Sequence, residues 1–133
     1  MDRRALLLGS AFLFLAVALG AFGAHGLKAH VGPEGLAQWR TAVEYQFYHG
    51  LGLLLLAAMA TTLPARSVRL VRLSFTSGIL LFSGSIYLLA TRDVSGLQGL
   101  ASILGPITPL GGLCFMVGWA TLFITAWRRA DDR

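Results

Sequence analysis

Four apolar runs, each long enough to cross a bilayer and separated only by short polar connections, restrict this chain more than any other feature. A hydrocarbon core of about 30 Å needs about 20 helical residues. The first run occupies residues 5–23 (ALLLGSAFLFLAVALGAFG) without a charged side chain, and the second occupies 45–63, stopping against Pro64. The third covers 73–90 and the fourth 109–127, where Thr108 followed by Pro109 reads as an N-cap and first helical residue. Inside lipid a backbone must satisfy its own polar groups, so these runs are expected as α-helices. The sequence thus predicts an all-α integral membrane four-helix bundle, one four-span domain over residues 1–133. A chain 56% apolar and only 13% charged is built for lipid rather than for water.

Arg3 and Arg4 ahead of an apolar run also describe a secretory signal peptide, with Ala21 and Gly23 flanking a conceivable cleavage site. The run is longer than a usual signal core, which favours a retained first span. Orientation follows from the basic residues, which are held on the cytoplasmic side. Arg3, Arg4, Arg66, Arg69, Arg72, Arg128, Arg129 and Arg133 fall on one side, against Lys28, Arg40 and Arg92 on the other. Both termini and the middle loop are therefore expected in the cytoplasm (N-in/C-in), in a multi-pass protein of the cell membrane, the inner membrane in a bacterium. The net charge of +5 is accounted for by these orienting residues, and no aromatic platform or basic patch suggests nucleic acid.

The two outer connections carry helical signals of their own. Pro33 suits a helix start, and Leu36, Trp39 and Val43 recur at helical spacing, so the second helix is expected to begin near Pro33 and protrude from the core. In the other connection Ser95 and Gln98 resemble a capping box. Leu97, Leu100, Ile103 and Leu104 would then share one face of a short interfacial helix ended by Gly105 and Pro106.

Helix association in lipid relies on small residues that let backbones approach. Ser74, Ser77, Gly78, Gly84 and Ser85 give the third helix such a surface, Gly111 and Gly118 the fourth, and Gly9, Ala16 and Gly20 the first. The direct reading is contact within the bundle. Cys114, the single cysteine, stands in an apolar run, as a packed thiol does.

The runs GAFGAHGLKAH (20–30), WRTAVEYQFYHGLGLL (39–54), FSGSIYLLA (82–90) and GPITPLGG (105–112), in this order, resemble the small membrane-protein family catalogued as domain of unknown function 423. Its members include YgdD- and YwdK-like bacterial proteins and the animal transmembrane protein 256 relatives. The resemblance covers nearly the whole chain and implies a four-span membrane protein. It brings no activity, substrate or catalytic residue with it.

Function is then sought among polar residues at membrane depth, which are costly unless paired. Counted from Leu63 along the second helix, His49 lies about 9 Å below the outer edge of the core. Gln46 is one turn above it, Tyr45 four residues away, Glu44 adjoins, and His25 closes the first span at a similar level. His25, Glu44, Tyr45, Gln46 and His49 thus form a candidate outward-facing polar pocket. Two readings stay open: a hydrogen-bonded tie between helices, or a small-molecule, ion or proton site. His25, His30 and His49 complete no recognised metal spacing, and no nucleophile elbow or P-loop is present. The sequence therefore predicts a protein without catalytic residues, cofactor or metal. It is expected to act in the lipid bilayer as an accessory or scaffolding component beside other membrane proteins, with a carrier using the polar pocket as the alternative.

Overall fold

The computed structural model describes residues 1–131, and these contain helices and connections but no strand. Arg133, one of the charges assigned to the cytoplasmic side, lies outside the described residues. The elements are α1 (Arg3–Ala24), α2 (Pro33–Met59), α3 (Ala65–Gly78), a π-helical turn (Ile79–Ser83), α4 (Gly84–Ala90), α5 (Arg92–Ser95) and α6 (Ala101–Asp131). Single 3-10 turns at Leu27–Ala29 and Gln98–Leu100 fill the connections. α3, the π turn and α4 follow one another without a break as one rod, Ala65–Ala90.

Each start and stop has a local cause. Asp2 caps α1, its carboxylate accepting from Ala5 N at 2.9 Å. Pro33 occupies the first turn of α2 as its fixed φ favours, and Pro64 stands extended immediately before α3. Gly96 ends α5 in the left-handed region at φ 71°, where a side chain would be strained.

The rods pack side by side in the order α1, α2, α3–α4, α6; the two outer helices have no extended contact with each other. Neighbours run antiparallel. A bond from Asp2 N to Ala57 O at 3.1 Å ties the start of α1 to the end of α2, and Ser67 meets Thr125 at 3.0 Å where α3 begins and α6 ends. The starts of α1 and α3 and the end of α6 therefore share one end of the molecule. Arg3, Arg4, Arg66, Arg69, Arg72, Arg128 and Arg129 gather there. The main core lies in the half nearest that end and centres on Leu53, Leu56, Val71, Phe75 and Phe115. A smaller cluster of Leu27, Trp39 and Ala90 closes the other end.

Among the described residues, three helical segments are long and apolar enough to cross a membrane: Arg3–Ala29, Ala65–Ala90 and Gln98–Arg129. α2 has the length but carries Glu44, Gln46 and His49 in its middle, which lowers its apolar character below the others. It starts at Pro33 as the sequence suggested and ends at Met59, with a turn leading to Pro64.

The second outer connection departs from its expected form. Ser95 is the last residue of α5 rather than a cap, its hydroxyl donating back to Thr91 O at 2.8 Å. Gly105, Pro106, Thr108 and Pro109 neither end one helix nor begin another; they lie inside α6. Energetics explains the continuity. Each proline removes one helical hydrogen bond at a cost of about 3 kcal/mol, whereas a break at membrane depth would strand several backbone groups, each costing several kcal/mol. Thr108 Oγ1 also donates to Leu104 O at 3.3 Å within this stretch.

Candidate functional site

The five residues of the expected pocket do not meet in one cleft. His25 is the exposed C-cap of α1, and Glu44 is exposed on the outer face of α2. Tyr45 is 38% exposed, while Gln46 and His49 retain only 3% and 5% of their surface. The last two are closed in by side chains, one turn apart, and their bonds lead in different directions.

Gln46 joins three rods. Its side-chain amide donates to Phe12 O of α1 at 2.9 Å, and its carbonyl oxygen accepts from Tyr87 Oη of α4 at 2.8 Å. An amide is suited to this because it donates and accepts through separate atoms.

His49 faces α3 and α6. Nδ1 lies 2.7 Å from Tyr45 O, which can only accept, and Nε2 lies 3.1 Å from Trp119 Nε1, which can only donate. These partners assign the neutral imidazole with its proton on Nδ1. The ring stacks on Phe115 with centroids 3.4 Å apart and planes 9° from parallel, and Phe75 meets it edge-on at 5.3 Å. Both nitrogens are thus in use. A metal or a second proton at Nε2 would have to displace the Trp119 indole. Among the described residues no three or more His, Cys, Asp or Glu side chains gather as metal ligands do.

Tyr87, Trp119 and Trp39 complete this polar spine, although the sequence placed Trp39 only on a helix face and gave none of the three a polar role. Trp39 Nε1 donates to Leu19 O at 2.8 Å, its ring lying against Gly23 and 4.6 Å from Tyr87. The available signal was chemical: a Trp or Tyr placed in an apolar helix needs a partner for its N–H or O–H.

The small residues divide. Gly78 lies against the Phe115 ring and Gly118 against the Phe75 ring, while Gly111 sits directly on the backbone of Phe82 in the π turn. Ser74 and Ser85 are buried, and the Ser85 hydroxyl lies 2.6 Å from that of Thr108, linking α4 to α6. Gly84 faces open space, so it takes no part in packing. On α1, Gly9 brings the backbone close to Gly50 of α2.

A second polar tie sits at the arginine-rich end. Asp2, besides capping α1, pairs with Arg72 of α3. Burial pushes the Asp2 carboxyl up, but the Ala5 N–H and the Arg72 guanidinium outweigh it and hold its pKa below the ordinary 3.8.

Sequence comparisons relate the chain to proteins named as membrane proteins. The family described as "Protein of unknown function (DUF423)" matches residues 19–112. The chain is 42% identical over 122 residues to UPF0382 membrane protein YwdK of Bacillus subtilis (strain 168), covering 91% of this chain and 94% of that protein. It is 40% identical over 123 residues to UPF0382 membrane protein SSP2132 of Staphylococcus saprophyticus, covering 92% and 96%. It is 37% identical over 123 residues to UPF0382 membrane protein SH2409 of Staphylococcus haemolyticus, covering 92% and 94%. No solved structure matches the chain.

Proposed function

The chain belongs to the DUF423 family, whose relatives are named as membrane proteins, and from that premise we propose that it is a non-enzymatic accessory or scaffolding component of a membrane assembly. The observation that carries this reading is that Gln46 and His49, the buried polar side chains of α2, both bond to neighbouring helices within the fold. Polar groups at membrane depth are the first candidates for a substrate path. Here Gln46 and His49 spend their principal bonds on tying helices together. α1 and α6 meanwhile present long apolar faces outward, through Phe14, Val17, Met116 and Phe123, to lipid and to neighbouring helices.

Connectivity supports reading four spans, which would put both termini on the same side of the membrane. If α1 and α3–α4 both cross in the same direction, α2 must cross back between them. The arginines at one end favour placing that end in the cytoplasm, in a bacterium on the inner side of the inner membrane. Purification in gentle detergent followed by mass spectrometry is the test of the assembly role. A stoichiometric protein partner is expected; a stoichiometric small molecule or ion lost on His49→Gln would establish the carrier reading instead. Cysteines placed at Lys28 or Ser95 in a Cys114→Ser background should react with an impermeant thiol reagent from outside. One at Ser67 should not, and the reverse pattern would invert the topology.

A further inference from the structure

Two adjacent cavities at the end opposite the arginine-rich end share walls and together form a groove whose chemistry changes with depth. The upper one, about 320 Å³, lies between the start of α2 and the connection after α4; His30, Glu34, Arg92 and Asp93 line it. The lower one, about 370 Å³, is bounded by Thr41 of α2, Ile86 of α4 and Thr108 and Pro109 of α6. Gln38 and Leu89 line both. α2 and α4 run antiparallel, yet the lining loses its charge in the same spatial direction: Glu34, Gln38, Thr41 along α2, and Asp93 of α5 followed by Leu89 and Ile86 of α4. Glu34 to Thr41 covers about 10 Å of α2 at 1.5 Å per residue. Below Pro109 the surface of α6 continues at helical spacing with exposed Leu113 and Met116.

A groove that is charged at the membrane surface and apolar beneath it matches the division of a single phospholipid into headgroup and acyl chain. The charges narrow the headgroup. Arg92 is held only loosely, with Nε 4.0 Å from Asp93 and a guanidinium nitrogen 3.5 Å from Leu89 O, so it can turn to a phosphate. Against this one guanidinium stand two carboxylates, Glu34 and Asp93, which repel a purely anionic headgroup. We propose that this groove binds a zwitterionic phospholipid carrying a primary ammonium, with its phosphate on Arg92, its ammonium between Glu34 and Asp93, and an acyl chain over Ile86, Leu89 and Pro109.

This site is separate from the Gln46–His49 spine and goes beyond the accessory role, so either reading stands without the other. The test is native mass spectrometry of the full chain in detergent. It is titrated separately with phosphatidylethanolamine, phosphatidylcholine, phosphatidylglycerol and water-soluble phosphoethanolamine. Phosphatidylethanolamine is expected to be retained best, and Arg92→Gln to weaken it about tenfold or more, the range of a charge-assisted contact. Glu34→Gln should shift preference toward phosphatidylglycerol. Thr41→Trp, which fills the lower cavity from a half-buried position on its wall, should abolish lipid retention while leaving the weak binding of phosphoethanolamine unchanged. Equal retention of all three lipids, indifferent to Arg92→Gln and Thr41→Trp, would mean a non-selective lipid coat and overturn the proposal. Phosphoethanolamine bound as tightly as the lipid would overturn it in favour of a soluble phosphate ester.

Discussion

α1 is tied to α2 by donors that reach its carbonyls, Trp39 to Leu19 and Gln46 to Phe12, whereas α6 is held to α3 by rings seated on glycines, Phe115 on Gly78 and Phe75 on Gly118. Both arrangements meet the same difficulty, that burial of apolar surface gives no driving force between helices already in lipid. The first adds directional hydrogen bonds to the close approaches at Gly9 and Gly23. The second depends on shape and tolerates almost no change in it. His49 stands between the two, using hydrogen bonds to Tyr45 and Trp119 and a stacked face toward Phe115.

The sharpest way to break this contrast is at Gly111, where an added Cβ meets the backbone of Phe82 rather than a movable ring. Gly111→Ala is expected to cost about 3 kcal/mol, at the upper end of overpacking. Gly84→Ala, facing open space, should stay within about 0.5 kcal/mol. Thermal unfolding in detergent measures both, and equal shifts would remove the shape-based half of the comparison.

Next in size is Gln46→Leu. It strands the Tyr87 hydroxyl and frees Phe12 O, and should destabilise by about 2 kcal/mol. Adding Tyr87→Phe should recover part of that loss, because the unpaired hydroxyl disappears. An additive double variant would mean the two groups are not coupled.

His49→Leu is expected to cost about 1–2 kcal/mol by leaving the Trp119 N–H without its acceptor. His49→Gln, which still donates and accepts, should keep most of the stability. Cellular phenotype should follow stability in both. A stable, inserted His49→Gln variant without function would show that imidazole itself is required.

The smallest effect concerns the Asp2–Arg72 tie. The Asp2 pKa is lowered in the folded state, so its stabilisation is fully present above about pH 4 and is lost as the pH falls through the folded value. The stability gap between the parent chain and Asp2→Asn should therefore narrow between pH 7 and pH 3. A constant gap would assign Asp2 a pH-independent role.

Much of this fold was legible because lipid imposes strict lengths: the apolar runs, the start of α2 at Pro33 and the buried position of Gln46 and His49 all follow from one-dimensional rules. Partners were not legible. Nothing in the spacing of Gln46 says that its amide reaches Phe12 and Tyr87, because those contacts depend on which helices become neighbours. His25 and Glu44 lie near His49 in axial height but point elsewhere, and height along a helix does not fix azimuth. Pro106 and Pro109 misled for another reason. Their usual meaning as helix boundaries assumes water ready to take the released carbonyls, and that assumption fails at membrane depth.

The π turn at Ile79–Ser83 has a consequence for how chain length acts in this protein. Such a turn is an α-helix that has taken up one surplus residue. The surplus residue sets the phase of Gly84–Ala90 relative to α3, so it decides which residues of α4 face α2 and α6. Removing any one residue from Ile79–Ser83 would restore an unbroken α phase and turn Gly84–Ala90 by about 100° relative to α3. Ser85 would swing from Thr108 and Tyr87 from Gln46. A single-residue deletion here acts as a rotation of the outer third of the rod rather than as a shortening of it.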